Sequence, residues 1–109
     1  VYQKEGEYGK AKEYYEKSLR ILEQVLGKNH PNTATSYHNL AGVYQEEGEY
    51  KIALTYSFKA YKIFVSKHGI DHRTTKSSYE NMKYVYLKLN LKEDFNQWLE
   101  EKMKESNQK

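Results

Sequence analysis

The chain has 109 residues, 30% of them charged, a formal net charge of +3 and no cysteine. That length allows one domain or less, the missing thiols exclude disulfide scaffolds, thiolate zinc sites and cysteine nucleophiles, and no apolar run approaches the ~18 residues of a membrane span. Apolar content is only 38%, but twelve tyrosines can bury rings while their hydroxyls reach water, which argues against disorder.

In chain order, residues 1–5 read as the stub of a helix, closed at Gly6 by a tight turn. Residues 7–26 follow, with Tyr8, Ala11, Tyr14, Tyr15, Leu19, Leu22, Val25 and Leu26 at the i, i+3, i+4, i+7 spacing of an amphipathic helix. Gly27 ends it, and Asn29-His30-Pro31-Asn32 opens the next, with Asn29 a good N-cap and Pro31 fitting the first turn. The second helix runs to about Glu47, its apolar side carrying Tyr37, Leu40, Ala41, Val43 and Tyr44, and Gly48 breaks it. The third spans about Tyr50 to His68. Gly69-Ile70-Asp71 turns the chain, with Asp71 the expected cap of a fourth helix over about Arg73–Leu89. Asn90 then stands where Gly48 stood. The fifth, about Lys92–Ser106, carries Phe95, Trp98, Leu99 and Met103. Its polar tail, Lys104–Lys109, reads as an end cap that no further unit covers.

The elements repeat. Laying residues 1–44 over 43–86 gives nineteen identities, including Gly6 with Gly48, Ala11 with Ala53, Gly27 with Gly69, His30 with His72, Tyr37 with Tyr79 and Asn39 with Asn81. Chance at this composition gives about three. A fixed period of this size signals a stacked array of helix pairs, in which no unit buries its apolar face alone. Ala11 and Ala53 are small because helices cross closely there, and the tyrosines at 2, 44 and 86 stack one unit on the next.

Little in the chain reads as reaction chemistry. His68 and His72 have a spacing that could hold a metal, but Gly69 lies between them and breaks the helix. His30 and His72 are repeat-equivalent and read as capping or turn residues. The carboxylates at Glu46-Glu47 and Glu100-Glu101 read as exposed helix ends. No phosphate-binding glycine loop, nucleophile elbow or zinc-protease motif is present. The expectation is no enzyme, no cofactor and no metal. From Lys51 to Lys76 six basic residues face one acid, Asp71. This charge could favour an acidic partner, although a solvated helix face is the blander account and the better one.

The pattern Tyr37-x2-Leu40-Ala41-x2-Tyr44, followed by Gly48, Tyr50, Ala53 and Ala60, resembles the tetratricopeptide repeat. The stretch Leu26 to Ala41, with Gly27-Lys28-Asn29-His30-Pro31 at its head, is similar to the longer, 42-residue kinesin-light-chain type of that repeat. Ser57 departs from the aromatic usual in the pattern, which suggests looser packing. The resemblance implies an all-α, right-handed superhelical solenoid of antiparallel helix pairs. Its parts would be the stub at 1–5, a helix at 7–27, a repeat at 30–68 and a third repeat with C-terminal cap at 72–106, about two and a half repeats in one array.

It also implies a binding role. In the family the first helix of each pair lines a concave groove, and the pattern maps that face onto Thr35, His38, Asn39, Gly42, Gln45 and Glu46, then Ser77, Glu80, Asn81, Tyr84, Leu87 and Lys88. Asn39 and Asn81 stand out, because an amide both donates to and accepts from a peptide backbone. The alternative is that they bond the neighbouring repeat. The expected partner is a protein or peptide, not a membrane or a nucleic acid, and the expected setting is cytoplasmic. Two other readings stay open: an architectural C-terminal segment of a longer solenoid that mediates oligomers, and the sensor arm of a signalling enzyme whose catalytic domain lies upstream. A further expectation is self-association, with Tyr8, Tyr15, Leu19, Leu22 and Leu26 partly uncovered on the first helix.

Overall fold

The computed structural model describes residues 2–107, with side chains from 6 to 106. Among them are five helices and no strand: α1 (Tyr2–Val25), α2 (Pro31–Glu46), α3 (Tyr50–His68), α4 (Arg73–Lys88) and α5 (Phe95–Asn107). The packed pairs are α1 with α2, α2 with α3, α3 with α4 and α4 with α5, each helix on its neighbour in the chain. That wiring is an all-α solenoid of helix pairs. The side chain of Tyr2, expected to stack between units, and the last residues of the polar tail lie outside the described residues.

The corners repeat as the sequence does. Gly27 and Gly69 turn the chain with φ of +95° and +87°, a region that favours glycine. Three residues later His30 and His72 cap α2 and α4, each ring Nδ1 accepting the backbone N–H two residues on, Asn32 at 3.0 Å and Thr74 at 3.1 Å. Three further on, Thr33 and Thr75 are buried and donate their hydroxyls back to the preceding helix end, to the carbonyls of Gly27 at 2.8 Å and Phe64 at 3.2 Å. The caps are thus the histidines, not Asn29 and Asp71. Each histidine directly precedes the first helical residue and can offer an unprotonated nitrogen to an N–H that the helix leaves unpaired.

At the other end of the molecule, Asn90 takes a positive φ of +57° and closes α4. The last helix begins at Phe95, later than the expected Lys92. Asp94 Oδ2 accepts the N–H groups of Asn96 at 3.1 Å and Gln97 at 3.4 Å, and Tyr86 Oη donates to the carbonyl of Glu93, which fixes the approach before the helix starts.

One expected turn is absent. Gly6 does not break the chain, since α1 is continuous from Tyr2 to Val25. Gly48, in nearly the same local sequence, does break it, at φ +83°. At Gly48 the turn is held by α2 and α3 packing on each other and by the Glu49 N–H bonding the Tyr44 carbonyl at 2.8 Å. Local sequence permits the turn, and packing decides whether it forms.

The core is two clusters that share α3. One joins Leu19 of α1, Ala34, Tyr37 and Leu40 of α2, and Ala60, Ile63 and Phe64 of α3. The other joins Ala53, Leu54 and Tyr61 of α3, Met82, Val85 and Tyr86 of α4, and Phe95 and Leu99 of α5. Ala53 and Ala60 are fully buried, the mark of close helix crossings. Ser57 is buried as well, so the missing aromatic leaves no exposed gap.

Candidate functional site

On α2 the residues split cleanly by face. Thr33, Ala34, Ser36, Tyr37, Leu40 and Ala41 are buried against the neighbouring helices. Thr35 and Glu46 are exposed, and His38, Asn39, Gly42 and Gln45 are half-buried on the opposite side. A methyl group placed on Gly42 would meet nothing within 4 Å, so this face is open along the middle of the helix. Thr35 folds its hydroxyl onto its own helix, donating to the Pro31 carbonyl at 3.1 Å. Burial holds the His38 imidazole below its ordinary pKa, which favours a neutral ring that can both donate and accept.

On α4 the same split recurs. Thr75, Ser78, Met82, Val85 and Tyr86 are buried, and Ser77, Glu80, Tyr84, Leu87 and Lys88 are exposed. The Lys88 ammonium lies 5.2 Å from the centre of the Tyr84 ring, a cation–π contact on the open face. Tyr84 stands where α2 has Gly42, so one helix offers a ring and the other a gap. Asn81 is half-buried, and its Nδ2 lies 3.5 Å from Ser57 Oγ, the outer limit of a hydrogen bond. It therefore touches the neighbouring helix weakly and keeps most of its bonding capacity. The two faces belong to helices that both pack on α3.

The two histidines with the spacing noted above engage their neighbours. His68 and His72 stack with centroids 4.4 Å apart, His68 also stacks on Phe64 at 6.0 Å, and His72 Nδ1 is occupied by the α4 cap. Among the described residues no cluster of three or more metal-ligating side chains occurs. No described helix is long and apolar enough to cross a membrane.

Two features escaped the sequence reading. The first is a concavity between α3 and α5, away from the faces just described. It is a groove of about 840 Å³, floored by Leu54, Phe58 and Trp98 and edged by Lys59, Lys62 and Lys102. A second hollow of about 690 Å³ shares Lys59 and Lys62 and runs on toward Glu23, Lys28 and Tyr37. The basic run from Lys51 to Lys76 was the available signal, but only the fold brings two of its lysines to α5.

The second is the open face of α1. Of the stripe expected to be partly uncovered, Leu19 is buried, Tyr8, Tyr15 and Leu22 are half-buried and Leu26 is exposed. Barer still are Tyr14, Ile21 and Val25, exposed at 67%, 60% and 72%. Tyr14 and Ile21 are the repeat equivalents of Tyr56 and Ile63. Ile63 is buried, and Tyr56 stacks on Tyr37 and Tyr44 at 6.0 and 5.8 Å. That equivalence was the overlooked clue.

Among known families, a tetratricopeptide repeat model matches residues 1–64. No curated protein matches the chain at a significant level.

Proposed function

The chain belongs to the tetratricopeptide repeat family, a non-catalytic repeat class that generally serves protein–protein interaction, and on that premise we propose that it is a module that takes a partner's peptide or helix across the open faces of α2 and α4, as part of a larger intracellular scaffold or adaptor. The observation that carries the reading is the recurrence of one arrangement in two units. Asn39 and Asn81 occupy equivalent positions, each half-buried at the centre of an open helix face backed by a fully packed one. Amides at a regular spacing suit the backbone of an extended segment, which presents donors and acceptors at regular intervals. Gly42 supports close approach of that backbone, because no side chain stands there.

The test is the double variant Asn39→Ala/Asn81→Ala, titrated against a partner recovered by affinity capture. Each lost hydrogen bond should weaken binding by about 1–3 kcal/mol while helicity and melting midpoint hold. Equal affinity would move the site off these faces.

The bare stripe of Tyr14, Ile21 and Val25 favours a second reading, in which the array mediates an oligomer. Its occupant would be a second copy of the chain. Glu13 and Arg20 lie on one flank of the stripe, seven residues apart, and an antiparallel copy related by a two-fold axis would set each opposite the other.

A further inference from the structure

The groove between α3 and α5 combines an apolar floor with a basic edge on which Lys102 is paired with Glu105 and Lys59 and Lys62 carry no ion pair. Phe58 and Trp98 meet edge to face, centroids 5.9 Å apart at 68°, and both stay half-buried, so part of each ring faces the groove. The Lys62 ammonium sits 5.1 Å from the centre of the Phe58 ring and donates to Ser106 Oγ at 3.0 Å. The Lys59 ammonium lies 5.6 Å from the rings of both Tyr37 and Tyr56. Among the described residues the ion pairs are Lys12–Glu47, Lys17–Glu13, Lys102–Glu105 and Lys104–Glu100, and none engages Lys59 or Lys62. These two cations are held in place by aromatic faces and a hydroxyl, with no carboxylate spent on them. Ammonium groups held this way are ordered in advance and retain their charge for an incoming anion.

The geometry points to this groove as a docking site for an acidic protein segment that carries one bulky apolar side chain. The apolar side chain fills the space over Phe58 and Trp98, and the flanking carboxylates pair with Lys59 and Lys62. A protein fits better than a nucleic acid. Phosphate backbones call for a broad basic face, whereas here two lysines without an ion pair border an apolar floor that one side chain can cover. The site is independent of the α2 and α4 faces, so either can fail without the other.

Trp98 is the chain's single tryptophan and lies in the groove itself, which makes its fluorescence a local reporter. The probe is a short synthetic peptide of glutamates around one leucine. Its addition should shift the Trp98 emission with saturable binding that weakens as salt rises. Replacing the leucine by serine, or the glutamates by lysines, should abolish the shift. The charge reversal Lys59→Glu/Lys62→Glu should weaken binding about tenfold or more. Should that variant lose its helical spectrum, Thr55→Glu decides, because it adds a carboxylate at the exposed rim and leaves both lysines in place. It should also weaken binding. The Asn39→Ala/Asn81→Ala variant should bind the probe as the unmodified chain does. The proposal is overturned if the folded charge variants bind unchanged, if the lysine peptide binds equally well, or if single-stranded oligonucleotide moves the Trp98 emission and the acidic peptide does not.

Discussion

Two tyrosines hold the seam between α1 and α2. Tyr37 Oη donates to Glu23 Oε2 at 2.9 Å, and Tyr44 Oη to Glu16 Oε1 at 3.3 Å. The two tyrosines are seven residues apart, as are the two glutamates, and they pair in opposite order, so the bonds fix both the antiparallel sense and the register. Burial and then the Glu23 carboxylate push the Tyr37 phenol up to about 12. Tyr44 is raised likewise, first by burial and then by Glu16. A raised phenol means that the folded state holds its proton more tightly than the unfolded chain, in which tyrosine ionises near pH 10. The stability this lends is therefore full below about pH 10 and is lost as the pH climbs toward 12. Urea midpoints measured from neutral to alkaline pH should show that fall in the unmodified chain. Tyr37→Phe should be less stable by about 1 kcal/mol at neutral pH and should fall less steeply above pH ~10. Identical alkaline slopes would show that Tyr37 does not carry the effect.

At the scale of the helix, the segments Gln3–Tyr8 and Gln45–Tyr50 differ only at Lys4 and Glu46, yet the first is helix and the second a corner. Opposite mutational signs follow. Gly6→Ala, inside α1 with open space around it, should stabilise the fold by about 0.5–1 kcal/mol. Gly48→Ala, at a φ of +83°, should destabilise it by about 1 kcal/mol or more. Melting midpoints of the two variants decide this, and a loss of stability at Gly6 would show that the corner forms there too. The same pair marks how far the sequence could be read. The period, helix types and corners at Gly27, Gly48, Gly69 and Asn90 were all legible, because glycine and apolar spacing carry them locally. The fate of Gly6 was not, since it depends on which helices pack on either side. The histidine caps were readable as caps only through their recurrence at 30 and 72. The open faces of α2 and α4 were readable from the repeat pattern. The groove between α3 and α5 was not, because Lys59 and Trp98 come to one groove only after two corners have been turned.

Across the whole molecule, α3 supplies buried residues to both core clusters, and Tyr44 of α2 packs against both. The stripe at Tyr14, Ile21 and Val25 is the first unit's copy of a surface that the second unit covers with its own tyrosines. Apolar surface of this kind rarely stays bare. Sedimentation over a range of concentrations should show a dimer that Tyr14→Ser/Ile21→Ser/Val25→Ser returns to monomer, and a monomer throughout for the unmodified chain would remove the oligomer reading. The two readings of one six-residue word, straight at Gly6 and bent at Gly48, have a consequence for ancestry. A segment that serves equally as a helix interior or a corner can be duplicated without rewriting its text. An array written in such words can gain or lose a unit by copying alone, its grammar settled afterwards by whichever neighbours it meets.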